Sequence, residues 1–201
     1  MIAVIDYDAG NLNSVEKALI YLGEEAVITR NPKIIREAEK VVLPGVGAFG
    51  DAVGKLRKYG LFDLVREVAF SGKPFLGICL GMQLLFHSSE ESPGVEGLDI
   101  LPGRVCRIPV QKDLKIPHMG WNSLEVTKGA RLFQGIEPEP YVYFVHSYYV
   151  SAEQECDVAA KTEYGTLIHA SVEHEMIFGC QFHPEKSGDV GLQILKNFAL
   201  L

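Results

Sequence analysis

Pro74-Phe75-Leu76-Gly77-Ile78-Cys79-Leu80-Gly81-Met82-Gln83 is the stretch that decides the fold. Pro74 to Ile78 is a short apolar run bounded by turn signals, the pattern of a strand buried on both faces, and Met82 to His87 reads as helix. A thiol therefore stands at a strand-to-helix turn, with glycines two positions before and two after it. Small neighbours at that spacing let the chain turn sharply and lift a nucleophile clear of the sheet edge. The N–H groups that open the following helix, Leu80 first, then point at the sulfur, favour thiolate over thiol and offer donors to an oxyanion. A free cysteine is ordinarily a small core residue. The two glycines set Cys79 apart from Cys106, Cys156 and Cys180, which lack such a setting.

Outward from this turn the first half of the chain alternates strands with amphipathic helices. Ile2 to Asp6 reads as a strand, and Val15, Ala18, Leu19 and Leu22 then share one helix face. Asn13 with Glu16 forms a candidate capping box, and Gly23 is placed to end that helix. Val41-Val42-Leu43 is the next strand, and Leu61, Leu64, Val65 and Val68 repeat the helical stripe. Such alternation predicts a mainly parallel sheet covered on both faces, a three-layer α/β/α sandwich. The second half changes character. Val105 to Val110, Asn122 to Val126, Tyr141 to His146, Val158 to Lys161, Thr166 to Ala170 and Met176 to Phe182 are strand-like, with hairpin-sized connections that predict antiparallel additions to the sheet. Ser187 is expected to cap a last helix buried through Ile194, Leu195 and Phe198. No repeat or linker-like run divides the chain, so residues 1–201 are expected to form one domain.

With 47% hydrophobic and 22% charged residues, the composition excludes disorder and fibrous repeats. A formal charge of −7 without a basic cluster argues against nucleic acid. The most apolar stretch, Pro74 to Phe86, is broken by glycines and a glutamine and falls short of the ~20 apolar residues of a membrane span. Met1 to Asp6 begins directly as a strand, without the basic region of a signal peptide, so export is not indicated. The four cysteines show no C-x-x-C, and free thiols in a reducing cytoplasm are expected.

A thiol nucleophile needs a base, and the base an orienting acceptor. Gln181-Phe182-His183-Pro184-Glu185 offers both, since residues i and i+2 at a strand end share a face and Pro184 stiffens the link. Cys79, His183 and Glu185 thus form a candidate triad with a thiol in the serine role. Gly45-Val46-Gly47-Ala48-Phe49-Gly50 matches the dinucleotide pattern G-x-G-x-x-G, but Pro44 precedes it and the strand is not the first of the chain. The other use of such glycines is a backbone that turns its N–H groups toward an anion, which would supply the second half of an oxyanion hole at Val46 and Gly47. His169 and His174 lack metal-ligand spacing, and no metal or other cofactor is expected. Tyr141 to Tyr149 carries five aromatics in nine residues, with one side expected in the core. Trp121, the only tryptophan, lies in Pro117-His118-Met119-Gly120-Trp121-Asn122, where an aromatic suits an interface.

Together, G-I-C-L-G-M-Q around Cys79 and F-H-P-E around His183 and Glu185 resemble the two signatures of the class I, triad-type glutamine amidotransferases, in the family's order. Asp6 to Leu12, Leu43 to Phe49, Pro117 to Asn122, Phe144 to Tyr148 and Gln181 to Ser187 extend the resemblance along the chain, most closely to the branch that serves imidazole glycerol phosphate synthase. The family implies a flavodoxin-like mixed sheet. It implies that Cys79 attacks the side-chain amide of glutamine, that Leu80, Val46 and Gly47 hold the oxyanion, and that His183, oriented by Glu185, moves the protons. Gln83 and the backbone around His146, Ser147 and Tyr148 would hold the amino-acid end of the substrate. The ammonia would pass to a (β/α)8 cyclase subunit, in a heterodimer, for histidine biosynthesis. Asn11, Asn13, Trp121, Asn122, Tyr143 and Lys186 match positions expected to face that partner. Asp8 stands where the family pattern has Gly, a position at which Asp tolerates a left-handed turn better than most residues. The rivals are a glutaminase subunit of another synthase, such as that for anthranilate or pyridoxal phosphate, and a flavodoxin-like binding or redox protein without turnover.

Overall fold

The computed structural model describes residues 1–112 and 114–201. In chain order the elements of the first half are β1 (Ile2–Ile5), α1 (Leu12–Tyr21), β2 (Ala26–Thr29), α2 (Pro32–Glu37), β3 (Lys40–Gly45), α3 (Phe49–Lys58), α4 (Phe62–Ala69), β4 (Phe75–Cys79) and α5 (Leu80–Gln83). The second half holds β5 (Phe86–Ser89), β6 (Leu101–Arg107), β7 (His118–Ser123), β8 (Glu125–Val126), β9 (Tyr141–His146), β10 (Tyr148–Ala152), β11 (Val158–Glu163), β12 (Leu167–His174), β13 (Ile177–Cys180) and α6 (Gly188–Ala199). The central sheet runs β2-β1-β3-β4-β13-β12-β11-β8. Its first five strands are parallel and the remaining three antiparallel to their neighbours, so the expected three-layer α/β/α, mostly parallel sheet with antiparallel additions is the observed one.

Period-two alternation explains the layers. Ala3, Ile5, Val41, Leu43 and Phe75 point to one face and meet Ile35, Leu56, Val65 and Val68 of α2, α3 and α4. Ile2, Val4, Val42, Leu76 and Ile78 point to the other and meet Val15 and Leu19 of α1 and Ile194, Leu195 and Phe198 of α6. Burying each of these large side chains contributes about 1.5–3 kcal/mol. Among the described residues no helix is long and apolar enough to cross a membrane.

Three local expectations are corrected. Helix α1 is capped at Asn11, in the left-handed region with φ 73°, and not through Asn13 and Glu16. Glu16 instead accepts a hydrogen bond from Ile28 N at 3.2 Å, tying the helix to the edge strand β2. The helix expected over Met82 to His87 is one turn, Leu80–Gln83, because Phe86 to Ser89 is drawn into a parallel pairing with β6. Leu84, Leu85 and Phe86 are all fully buried, so no polar face remained to specify a helix. Finally, not all the later strands extend the main sheet: β10-β6-β5 and β7-β9 form two smaller sheets.

What this topology does for the site is set by register. Gly45 of β3 lies opposite Cys79 of β4, and Cys180 of β13 opposite Ile78, so the segments following three parallel strands emerge side by side at their carboxyl ends. That edge is where ligands of open α/β sheets bind.

Candidate active site

Cys79 has φ 55° and ψ −109°, a left-handed conformation that costs a residue with a Cβ about 1–3 kcal/mol. The glycines make this turn possible by removing atoms. A Cβ on Gly77 would lie 2.7 Å from the Gly81 carbonyl oxygen, and one on Gly81 would lie 1.7 Å from the Leu43 carbonyl oxygen. A Cβ on Gly45 would lie 2.2 Å from the Tyr7 hydroxyl, which donates to Pro44 O at 2.9 Å from beneath the next strand. The single turn α5 therefore presses directly on β3 and β4. Being one turn long, it brings backbone N–H groups to the sulfur and only a small fraction of a helix dipole.

His183 and Glu185 follow β13. The His183 ring is buried, and its Nδ1 pairs with Glu185 Oε1 at 2.8 Å. Glu185 Oε1 also accepts from Asn11 Nδ2. The backbone is pinned as well: His183 N donates to Tyr143 O at 3.0 Å, and Ser187 Oγ donates to His183 O at 2.7 Å. Burial alone would lower the His183 pKa, but the Cys79 thiol and the Glu185 carboxylate outweigh it and push the value up to about 9. With Nδ1 held by Glu185, the nitrogen left for the thiol is Nε2, which is buried without a conventional hydrogen-bond partner in this resting geometry. The raised value stabilises the fold fully below the unfolded pKa of ~6.5, and the contribution is lost as pH rises through the folded one. Glu185→Gln is accordingly expected to lower turnover at this thiol by on the order of 10²–10⁴-fold and to move the basic limb of its pH profile to lower pH. A basic limb that stays in place would contradict the coupling.

A cavity of about 330 Å³, at the lower end of small-molecule sites, opens over the sulfur. Val46, Gly47, Cys79, Leu80, Gln83 and His146 to Tyr148 line it. Gly47 has φ 106°, a conformation that demands glycine. Gln83 Nε2 donates to Tyr148 O at 2.9 Å and to Gln181 Oε1 at 3.0 Å, so its amide N–H groups brace the wall. Glu91, unremarked in the sequence, also lines the cavity. Its Oε2 accepts from Phe49 N at 2.7 Å, and Ser92 Oγ takes Gly50 N at 3.0 Å. These contacts occupy the N-terminus of α3, where a dinucleotide pyrophosphate would have to bind, and they remove the dinucleotide interpretation of Gly45 to Gly50. Glu91 places a carboxylate beside the cavity where an ammonium group can pair with it. Its signal was weak: a glutamate in a loop after an unforeseen strand.

The residues expected to face a partner cluster only in part. Trp121 is exposed and meets the Tyr143 ring edge-on at 6.1 Å, next to the His183 backbone through Tyr143 O. Lys186 and Asn13 are exposed, whereas Asn11 is turned onto Glu185 and Asn122 donates to Glu163 O at 3.0 Å. Asp8 adopts φ 61° and is put to use: Tyr59 donates to one carboxylate oxygen and Arg30 to the other, at 2.7 Å for the latter.

Comparison with known proteins bears on these residues as a set. The family model "Glutamine amidotransferase class-I" matches residues 3–201. The chain is 53% identical over 198 residues to the imidazole glycerol phosphate synthase subunit HisH of Caldanaerobacter subterraneus subsp. tengcongensis, covering 98% of this chain and 97% of that one. It is 50% identical over 198 residues to the protein of the same name from Methanothermobacter thermautotrophicus, with the same coverage. Among solved structures, one described as a glutamine amidotransferase superposes with a TM-score of 0.76 at 22% identity, covering 99% of this chain and 100% of that one. PurLQS from Thermotoga maritima gives 0.76 at 20% identity, covering 99% and 97%. These two support the fold.

Proposed function

The chain belongs to the class-I glutamine amidotransferases, and from that premise we propose that it is the glutaminase subunit of an imidazole glycerol phosphate synthase. The observation that carries the chemistry is a strained thiol that lines a cavity together with the Val46–Gly47 backbone and has the buried His183–Glu185 pair beside it. The Cys79 thiolate attacks the side-chain amide carbon of glutamine. The carbonyl oxygen becomes an oxyanion, held by N–H groups of Leu80 and of the Val46–Gly47 segment. As the C–N bond breaks, His183 gives its Nε2 proton to the departing nitrogen, and ammonia leaves a γ-glutamyl thioester. His183 then takes a proton from water, whose oxygen attacks the thioester carbon. Glutamate departs and the thiol is restored. Glu185 fixes the imidazole with Nδ1–H, leaving Nε2 to do the proton transfer. Glu91 pairs with the α-ammonium of the substrate, and Gln83 and the Ser147–Tyr148 backbone shape its amino-acid end.

The ammonia is passed to a (β/α)8 cyclase partner, docked on the face that carries Trp121, Tyr143 and Lys186. The names of the relatives, subunits of one synthase, support this assignment. Mixing the protein with such a cyclase subunit and its ribotide ligand is expected to raise glutamate release by at least tenfold over the protein alone. A rate unchanged by the cyclase, and raised instead by a different synthase subunit, would refute the assignment while leaving the chemistry standing.

A further inference from the structure

The Ser147–Tyr148 wall of the cavity is held by two histidines that the chemistry above does not use. His118 and His146 are cross-strand partners in the β7-β9 ribbon, and both are buried. His118 Nδ1 lies 3.0 Å from His146 Nε2, and His146 Nδ1 lies 2.8 Å from Tyr148 O. A carbonyl oxygen can only accept, so His146 carries its proton on Nδ1 and exposes a lone pair at Nε2. His118 must then carry its own proton on Nδ1 to donate to that lone pair. Its remaining nitrogen, Nε2, faces Asn122 Nδ2 at 3.5 Å. The protons are thus ordered in one direction, from the ribbon toward Tyr148. Burial keeps both rings neutral, with pKa values lowered to about 4 for His118 and about 3 for His146. A proton added at His146 Nε2 would set two N–H groups against each other at 3.0 Å, and one added at His118 Nε2 would face the Asn122 amide nitrogen, itself a donor, at 3.5 Å.

The chain of bonds ends where the substrate sits. Tyr148 O also accepts from Gln83 Nε2, which donates in addition to Gln181 Oε1, and Gln181 Nε2 lies 3.7 Å from the Cys79 sulfur. His118 itself is clamped between Phe144, stacked at 4.6 Å, and Tyr164, stacked at 3.8 Å. We propose that His118 and His146 are a proton-ordered pair of positioning residues that fixes the Tyr148 carbonyl, and with it the Ser147–Tyr148 wall of the glutamine cavity. The pair rests on the glutaminase reading for its substrate, but not for its protons. Its effect falls on binding: the thiol, its base and the oxyanion donors belong to other strands.

Two measurements test this. Nitrogen-15 spectra of the imidazole rings in the isolated protein are expected to show both histidines protonated at Nδ1, the form disfavoured in free histidine. Protonation of either ring at Nε2 overturns the ordering. In the complex with its cyclase, His118→Phe keeps the ring stacking and removes the donor, and is expected to raise KM for glutamine about tenfold with kcat within about threefold of the parent. His118→Asn, whose amide nitrogen occupies the place of Nδ1, is expected to recover most of that loss. An unchanged KM in His118→Phe, or no recovery in His118→Asn, overturns the positioning role. A parent complex that releases no glutamate overturns the glutaminase reading instead, and the nitrogen spectrum still decides the ordered pair.

Discussion

Cys79→Ala is expected to lower glutamate release in the complex by about 10⁴-fold or more, because a nucleophile that forms the covalent intermediate has no substitute within the cavity. Cys79→Gly should be equally inactive, and the two variants should differ in stability in an unusual direction. At most positions glycine is worse than alanine by roughly 0.5–1 kcal/mol. At φ 55° the alanine keeps the strain that the cysteine bears, and the glycine sheds it. The glycine variant is therefore expected to unfold at higher denaturant concentration than the alanine variant, by about 1 kcal/mol. If alanine proves the more stable, the left-handed turn at the thiol is not a source of strain. A glutamine-derived diazo-ketone should label Cys79 in the parent and leave Cys106, Cys156 and Cys180 untouched. Two of these are poor nucleophiles by environment: burial pushes the Cys180 thiol up to about 12 and raises that of Cys106 as well.

Gly81→Ala is expected to cost more than about 4 kcal/mol, a large share of the ~5–15 kcal/mol that holds a domain folded. The added methyl would sit 1.7 Å from the Leu43 carbonyl oxygen and 2.8 Å from its carbon, and both belong to the backbone of a central strand. No side chain can swing away, so either β3 or the elbow must move. Gly54→Ala in α3 is the control: nothing lies within 4 Å of its new methyl, and helix propensity should make it stabilising by about 0.5–1 kcal/mol. Urea unfolding midpoints separate the two. A Gly81→Ala protein as stable as its parent would mean that α5 is not pressed onto β3.

Much of the fold was legible because its signals are local. The stripe Leu61, Leu64, Val65, Val68 and the runs at Val41 and Phe75 are decided within a few residues of themselves, and each is buried where the period places it. The elbow was equally local, since Gly77 and Gly81 act on atoms of adjacent turns. His183 and Glu185 were found because i and i+2 share a strand face. What escaped was decided by distant partners. Glu91 matters because the Phe49 N–H, 42 positions away, comes to it, and His118 because its acceptor stands 28 positions away. Asn11 was expected to face the partner, but its side chain spans 174 positions to Glu185. The end of the helix expected over Met82 to His87 gave way for the same reason: Phe86 and His87 belong to a strand whose pairing with β6 outweighed local preference.

The position of β13 has a consequence for synthesis. The strand that delivers His183 is made after the twelve other strands of the described residues, yet it lies between β4 and β12, in the interior of the sheet. On a ribosome the earlier strands emerge first, so a nascent chain can form the elbow and hold its thiol long before the base exists. Until residue 177 onward arrives, β4 and β12 stay unpaired on facing edges, and no proton carrier stands beside Cys79. Closing the sheet and completing the triad are then a single event. Any chain able to release ammonia has, by that fact, closed its central sheet.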